Sequence, residues 1–289
     1  MIIDTLVLSG GGPSGIAYTG IYQALLDHKI LDKDLSGIKE IITTSIGILF
    51  AFYLIMGLDN QILYEVIKGY NIGSLINTEN ICIDDLLVDF GLFPTTGIHQ
   101  IFLSLIRNIL KRENISLLEL YEIKPIKLSV KVFNSTRKQI EFISHETHPD
   151  LSVITLAEMT TAIPIFFKPV QYNGNLYTDG GVRGSFPIEH CCSENYLGIF
   201  IDGLISVNIF QNSVIGQLFP ILEFMYSMLV EQDQIVYDTK NGKINPRIIY
   251  SRVSLGLDLE VDDDTKDKVI KQGYDEAVDH INTHELLKD

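Results

Sequence analysis

Residues 5–15 of the chain read TLVLSGGGPSG, and the stretch IAYTGIYQALLDHK follows at residues 16–29. A short run of aliphatic and β-branched residues that stops at a glycine cluster predicts a buried strand ending in a tight turn. The apolar residues of 16–29 recur at helical spacing and predict a helix directly after that turn. A strand, a glycine turn and a helix in this order form the opening unit of a parallel α/β sheet, because the helix carries the chain back for the next strand.

The same alternation continues along the chain. Residues 38–43 predict a second strand and residues 46–56 a buried helix, and Ser116 and Glu119 fit a capping box farther on. The other predicted strands cover residues 126–133, 138–144, 170–172, 176–177, 197–201 and 247–251, and the other predicted helices cover residues 61–68, 98–111, 154–162, 215–237 and 264–287. This order predicts the α/β class, with a three-layer α/β/α sandwich around a mainly parallel sheet. Because no linker or repeat divides the sequence, we expect a single domain over 1–289. Within it, residues 71–97 form either a cap over the functional site or a packed loop.

The composition narrows the class of protein. Of the 289 residues, 46% are hydrophobic, which is enough to bury a sizeable core. The 22 basic and 37 acidic residues give a net charge of −15, which argues against nucleic-acid binding because phosphates require basic partners. Three cysteines make neither a disulfide framework nor a zinc-ligand spacing. The N-terminal sequence lacks the features of a signal peptide and no transmembrane segment is predicted, so we expect a protein that is free in the cytoplasm or peripheral at a membrane.

The glycine turn has two functional interpretations. Gly10, Gly12 and Gly15 satisfy the G-x-G-x-x-G pattern of dinucleotide-binding loops, in which the backbone approaches a pyrophosphate. The same loop can instead aim backbone amides at the oxyanion of a tetrahedral intermediate. The dinucleotide interpretation also requires an acidic residue about 20 residues beyond the loop, at the end of the second strand. That strand ends in Thr43-Thr44-Ser45, so a dinucleotide-dependent oxidoreductase ranks last among the candidate functions.

Two further stretches carry residues suited to acyl transfer. Residues 43–47 (TTSIG) match the nucleophile elbow G-x-S-x-G at Ser45 and Gly47, and Thr43 takes the place of the first glycine. A serine on such a sharp turn projects from the end of a strand at the N-terminus of a helix. Residues 179–181 (DGG) follow a predicted strand and can present the Asp179 carboxylate in a tight loop. Each stretch alone is also compatible with a purely structural role, as a helix N-cap or an ordinary Asp-Gly turn.

Taken together, these stretches resemble the patatin-like phospholipase family. The resemblance extends over most of the chain, because residues 161–169 (TAIPIFFKP), 186–187 (FP) and 271–274 (KQGY) are similar to further blocks of that family. It implies a serine–aspartate dyad with Ser45 as the nucleophile and Asp179 as the general base. It also implies an oxyanion hole lined by Gly10, Gly11 and Gly12, with supporting motif residues Gly15, Thr43, Gly47, Gly180 and Gly181. The implied activity is acyl-ester hydrolysis of the phospholipase A type on a lipid or membrane-surface substrate, with no metal and no cofactor.

Two departures from the family pattern keep alternatives open. Ser14 stands where the family usually has Arg or Lys, and Thr43 replaces the first elbow glycine. Both departures favour a catalytically silent lipid-binding protein of the same fold as an alternative function. An acyl thioesterase and a general esterase are further alternatives, because the sequence does not identify the ester that is cleaved. A Ser-His-Asp hydrolase would need His190 as its third member. His145 and His148 have i, i+3 spacing without a third ligand, so we expect no metal site there.

Overall fold

The computed structural model describes residues 3–69, 88–202, 237–238, 243–253, 255 and 261–284. Within these ranges the strands are β1 (Thr5–Leu8), β2 (Glu40–Thr44), β3 (Gly91–Phe93), β4 (Lys127–Asn134), β5 (Gln139–Ile143), β6 (Ile165–Phe167), β7 (Val170–Tyr172), β8 (Asn175–Asp179), β9 (Tyr196–Ile201), β10 (Tyr237–Asp238), β11 (Lys243–Ile244) and β12 (Ile248–Ser251). The α-helices are α1 (Ala17–Asp27), α2 (Gly47–Ile55), α3 (Asn60–Gly69), α4 (Thr96–Leu110), α5 (Leu117–Ile123), α6 (Val153–Thr161) and α7 (Asp263–Thr283). Short 3-10 helices occupy Gly12–Ile16, Gly180–Arg183 and Ile188–His190.

The predicted elements that fall within the described residues are confirmed, with bounds that differ by a few residues. The capping box is also present, because Ser116 Oγ accepts from the Glu119 amide and Glu119 Oε2 accepts from the Ser116 amide. Residues 70–87 and 203–236 lie outside the described residues. Most of the predicted cap at 71–97, and the predicted helix at 215–237 up to its last residue, therefore fall outside them as well.

The central sheet has eight strands within the described residues, in the order β12-β9-β1-β2-β4-β8-β7, with β5 paired to β4. Strands β12, β9, β1, β2 and β4 pair in parallel. The strands β5, β8 and β7 extend this sheet by antiparallel pairing. The mostly parallel sheet with flanking helices confirms the predicted α/β class.

Alternation along the strands divides the apolar residues between two faces of the sheet. Leu6, Leu8 and Ile41 belong to the large apolar cluster that also contains residues of the α-helices. Val7 and Ile42 point to the other face, where they cluster with Phe186, Phe200 and Ile248. The chain that follows the Asp179 loop therefore folds back over this second face. Among the helices within the described ranges, none has both the length and the hydropathy needed to cross a bilayer.

The register of β4 brings the ends of two other strands together. β2 pairs with residues 127–131 of β4, and β8 pairs with residues 132–134. Because β5 occupies the opposite edge of β4 over residues 130–134, β2 and β8 must share one edge. Thr44 lies opposite Lys131 and Asp179 lies opposite Val132, so the carboxyl ends of β2 and β8 meet head to head. The residue after Thr44 is thereby brought next to Asp179.

Candidate active site

Ser45 occupies a sharp turn between β2 and α2. Its φ angle is 51°, in the left-handed region that non-glycine residues seldom adopt, and the residue is buried. Its backbone amide donates to Thr160 Oγ1 at 2.8 Å, and this bond helps to hold the unfavourable conformation. A Cβ atom at Gly47 would lie 2.2 Å from Thr43 Oγ1 and 2.7 Å from the Ser9 carbonyl oxygen, so the turn requires glycine at that position. Local packing thus explains the elbow motif.

The Ser45 hydroxyl and the Asp179 carboxylate are in direct contact. Ser45 Oγ donates to Asp179 Oδ2 at 2.6 Å. The other carboxylate oxygen, Oδ1, accepts from the Gly181 amide at 2.7 Å, and the Asp179 amide donates to the Ala162 carbonyl at 2.9 Å. Both oxygens of the carboxylate are therefore held by neutral donors, and one of these is the hydroxyl expected to react.

The environment of Asp179 makes its carboxylate more basic than usual. The residue is 2% exposed, and burial raises its pKa to about 6. The hydrogen bonds from Ser45 and Gly181 and the charge of Lys131 lower this pKa and so oppose the effect of burial. A carboxylate with a pKa near 6 is ionised at neutral pH and is a better proton acceptor than an exposed aspartate.

The glycine loop lies directly against the elbow. A Cβ atom at Gly10 would lie 3.0 Å from Ser45 Cβ, and one at Gly15 would lie 2.8 Å from Ile46 Cγ2. The Gly10 amide donates to the Ser185 carbonyl at 2.8 Å. In contrast, no acceptor for the amides of Gly11 and Gly12 is found among the described residues. Within the described part of the chain, the loop therefore has two N–H donors without an acceptor, and one of them, on Gly12, lines the same cavity as Ser45.

Ser9, which the sequence did not single out, links the glycine loop to neighbouring elements by hydrogen bonds. Ser9 Oγ donates to the Gly10 carbonyl at 2.7 Å and accepts from the Ile201 amide at 2.9 Å. The Tyr18 hydroxyl donates to the Ser9 carbonyl at 2.7 Å. These bonds join the loop to β9 and α1 and fix its position relative to the sheet.

The two departures from the family pattern are both buried. Ser14 is fully buried, and its hydroxyl accepts from the Leu255 amide at 2.9 Å. Thr43 packs against Gly47, and its hydroxyl has no hydrogen-bond partner among the residues described. Both substitutions therefore change packing around the site and leave the Ser45 and Asp179 side chains in contact.

An apolar cavity of about 150 Å³ opens beside Ser45. Its lining includes the apolar side chains of Ile16, Leu49, Phe50, Ile101, Ile163 and Phe167. The Phe50 ring is stacked on Tyr18 with centroids 4.7 Å apart, which gives this wall a fixed shape. An apolar cavity of about this size admits a guest as large as benzene. The space fits a segment of hydrocarbon chain and offers little to a polar group.

The histidines considered as alternatives lie in other environments. His190 stacks on Phe142 with centroids 3.9 Å apart, and His145 stacks on Tyr121 at the same separation. The direct Ser45–Asp179 hydrogen bond leaves no imidazole between the two groups. This arrangement differs from the Ser-His-Asp alternative, in which a histidine must bridge them.

Comparison with known sequences identifies the family of the chain. The patatin-like phospholipase family model matches residues 6–191. A probable lipid hydrolase of Invertebrate iridescent virus 6 is 30% identical over 185 residues, which cover 64% of this chain and 62% of the relative. An uncharacterized protein of Acanthamoeba polyphaga mimivirus is 25% identical over 186 residues, which cover 64% of this chain and 60% of that protein. The matches therefore span less than two thirds of the length of these relatives.

Solved structures with low sequence identity share the fold. VipD from Legionella pneumophila gives a TM-score of 0.63 at 20% identity, covering 98% of this chain and 67% of VipD. ExoU from Pseudomonas aeruginosa, in complex with SpcU, gives a TM-score of 0.50 at 14% identity, covering 98% of this chain and 53% of ExoU. The family match covers the glycine loop, the elbow and the Asp179 loop, and the chain belongs to the patatin-like phospholipase family.

Proposed function

We propose that the chain is a lipid acyl hydrolase that acts through a Ser45–Asp179 dyad within a single domain. The observation that carries this proposal is the 2.6 Å hydrogen bond between Ser45 Oγ and the buried carboxylate of Asp179. A serine hydroxyl is a weak nucleophile until an adjacent base accepts its proton. Here the base is in contact with the hydroxyl, and burial raises its pKa to about 6.

The reaction would proceed in two steps with the same base. In the first, Ser45 Oγ attacks the carbonyl carbon of the ester while its proton passes to Asp179 Oδ2. The C–O bond to the alcohol then breaks, and the proton on Asp179 is transferred to the leaving oxygen. In the second step a water molecule gives a proton to Asp179 and attacks the acyl-serine. The bond between the acyl carbon and Ser45 Oγ then breaks, Asp179 returns its proton to Oγ, and the carboxylic acid is released.

Gly11 and Gly12 are the proposed oxyanion donors. Their amides have no acceptor among the described residues, whereas the Gly10 amide donates to Ser185. Gly10 would contribute through its missing side chain, because a Cβ atom there would lie 3.0 Å from Ser45 Cβ. Loss of one oxyanion donor typically costs a factor of about 100 to 1,000 in rate.

The apolar cavity beside Ser45 supports a substrate with a hydrocarbon acyl chain. Its lining by aliphatic and aromatic side chains favours a lipid over a polar ester. The relative from Invertebrate iridescent virus 6, described as a probable lipid hydrolase, points to the same substrate class. We therefore propose phospholipase A-type cleavage at a lipid surface, with the protein acting at that surface as a peripheral enzyme.

The test compares hydrolysis by the wild type, Ser45→Ala, Asp179→Asn and the control Ser104→Ala, whose serine lies exposed on α4. Substrates are a short-chain p-nitrophenyl ester, its thioester counterpart and phosphatidylcholine vesicles. We expect Ser45→Ala to lose activity by at least about 1,000-fold and Asp179→Asn by about 100- to 10,000-fold, with Ser104→Ala unchanged.

Other results would replace this proposal with an alternative. A Ser45→Ala variant that keeps its activity would contradict the assigned nucleophile. Vesicle binding by a wild type that cleaves none of the three substrates would favour a silent lipid-binding protein. A clear preference for the thioester over the oxygen ester and the vesicles would favour an acyl thioesterase.

A further inference from the structure

Lys131 occupies the position in β4 where the two halves of the dyad meet. It lies opposite Thr44, the residue before Ser45, and the next residue of β4 lies opposite Asp179. The strand ends that carry Ser45 and Asp179 share this edge of β4. A displacement of Lys131 would therefore move the ends of both β2 and β8.

The backbone of Lys131 is bonded to the elbow. Its carbonyl oxygen accepts from Thr160 Oγ1 at 2.8 Å and from Thr44 Oγ1 at 3.3 Å. Thr160 Oγ1 in turn accepts from the Ser45 amide at 2.8 Å. These buried residues form a continuous chain of hydrogen bonds from β4 to the strained backbone of Ser45.

The side chain of Lys131 is bonded to the chain that follows Asp179. Its Nζ donates to the carbonyls of Arg183 at 2.6 Å and Gly184 at 2.9 Å, and it lies 2.6 Å from Glu189 Oε1. These three acceptors match the three donors of an ammonium group. The side chain is 1% exposed, and a lysine so deeply buried is unfavourable unless its charge is paired, as it is here by Glu189. The loop bearing Asp179 is thereby fixed at its far end.

The charge of Lys131 also acts on Asp179. It lowers the pKa of the Asp179 carboxyl, against the effect of burial. The groups facing Asp179 from the elbow and from its own loop are the neutral Ser45 hydroxyl and the Gly181 amide. The charged group that faces Lys131 from the chain after the Asp179 loop is Glu189, whose side chain is 42% exposed.

We propose that Lys131 is the positioning residue of the dyad, holding the elbow through its carbonyl and the Asp179 loop through its ammonium group. This inference rests on the proposed function of Ser45 and Asp179. It assigns to Lys131 a role in the geometry and charge of the site, without contact with the substrate.

The test measures kcat and KM against pH on a soluble short-chain ester. The variants are Lys131→Met, Glu189→Gln and, as control, Lys127→Met, which removes the same charge four residues earlier in β4 from ion pairs with Glu40 and Glu146. Misplacement of a catalytic group by about 1 Å can cost about 100-fold, so we expect kcat of Lys131→Met to fall by about that factor with KM changed less than about threefold.

The pH profile distinguishes the proposed effect of Lys131 on the position and charge of Asp179 from a general loss of structure. Activity should rise with pH as Asp179 ionises. Without the Lys131 cation the midpoint should move up by about one pH unit, because the carboxylate loses a favourable charge. Glu189→Gln leaves that cation unneutralised, so its midpoint should move down. Lys127→Met should keep the wild-type midpoint.

The outcomes distinguish this inference from the proposed function. A wild type without esterase activity would overturn both. An active wild type with a folded Lys131→Met variant of unchanged kcat and midpoint would overturn only the role of Lys131. Should Lys131→Met fail to fold by circular dichroism, Glu189→Gln decides, because a downward midpoint supports the inference and an unchanged midpoint contradicts it.

Discussion

Replacing Asp179 with Asn should lower hydrolysis by about 100- to 10,000-fold and at the same time make the folded protein more stable at neutral pH. Burial raises the pKa of Asp179 to about 6 from an ordinary value of 3.8. The folded state thus holds this proton more tightly than the unfolded chain. The stability that this group contributes is complete below the ordinary pKa and is lost as the pH rises through the folded value.

The size of the effect follows from the difference between the two pKa values. Each unit of pKa difference is worth about 1.4 kcal/mol, so the carboxyl lowers the free energy of unfolding, relative to its fully protonated form, by about 1.5 kcal/mol at pH 5 and about 3 kcal/mol at pH 8. Asparagine has the same shape and carries no charge. Its Oδ1 can still accept from the Gly181 amide, and its amide nitrogen can donate to Ser45 Oγ. Asp179→Asn should therefore gain about 1.5 kcal/mol at pH 5 and about 3 kcal/mol at pH 8.

Urea unfolding followed by circular dichroism at pH 5 to 8 measures this difference. The control is Asp150→Asn, which removes one negative charge at an exposed position of this acidic chain. The control separates the gain from lower overall charge repulsion from the gain that comes from removing the buried charge of Asp179. An Asp179→Asn variant that is less stable than the wild type at pH 8, or whose gain does not depend on pH, would refute the reasoning.

Three further predictions follow from the same contacts. In the wild type, kcat/KM on a soluble ester should rise about tenfold from pH 5 to pH 7, because Asp179 must be ionised to act as a base; a flat profile over this range would argue against the assigned base. Gly47→Ala should lower the thermal unfolding temperature, since its Cβ atom would lie 2.2 Å from Thr43 Oγ1, and adding Thr43→Gly should restore part of the loss; equal melting of the single and double variants would show that this contact is not limiting. Ser14→Ala should cost about 1 to 3 kcal/mol in urea unfolding, because the Leu255 amide loses its acceptor; an unchanged free energy of unfolding would mean that the amide finds another partner.

The sequence predicted most of the fold because its regular elements have clear periodicity. Residues 5–9 are a short apolar run, residues 38–43 are rich in β-branched residues, and residues 16–29 have helical spacing. The observed β1, α1 and β2 therefore lie close to their predicted bounds. Strand β3 escaped prediction because its three residues pair with β6, far along the chain, and carry no periodic pattern of their own. Such a strand depends on tertiary pairing more than on local sequence.

The site was predictable where chemistry depends on short motifs and unpredictable where it depends on long-range burial. The elbow and the Asp-Gly-Gly loop indicated Ser45 and Asp179, which lie in contact. Lys131 alternates with apolar residues in β4, a pattern typical of a strand with one solvent-facing side. The chain after Asp179 covers that side and buries the lysine, which no local pattern foretells. The bond from Ser14 to Leu255 likewise joins residues 241 positions apart in sequence.

The most direct test of the dyad is intact-mass and peptide mass spectrometry after treatment with a fluorophosphonate, which reacts with activated serines. The wild type should carry a single adduct on Ser45, and Ser45→Ala should carry none. Asp179→Asn should be labelled at a rate at least about 100-fold below that of the wild type. A wild type that stays unlabelled while a reference serine hydrolase reacts, or an adduct that forms on another serine, would contradict the assignment of Ser45 and Asp179.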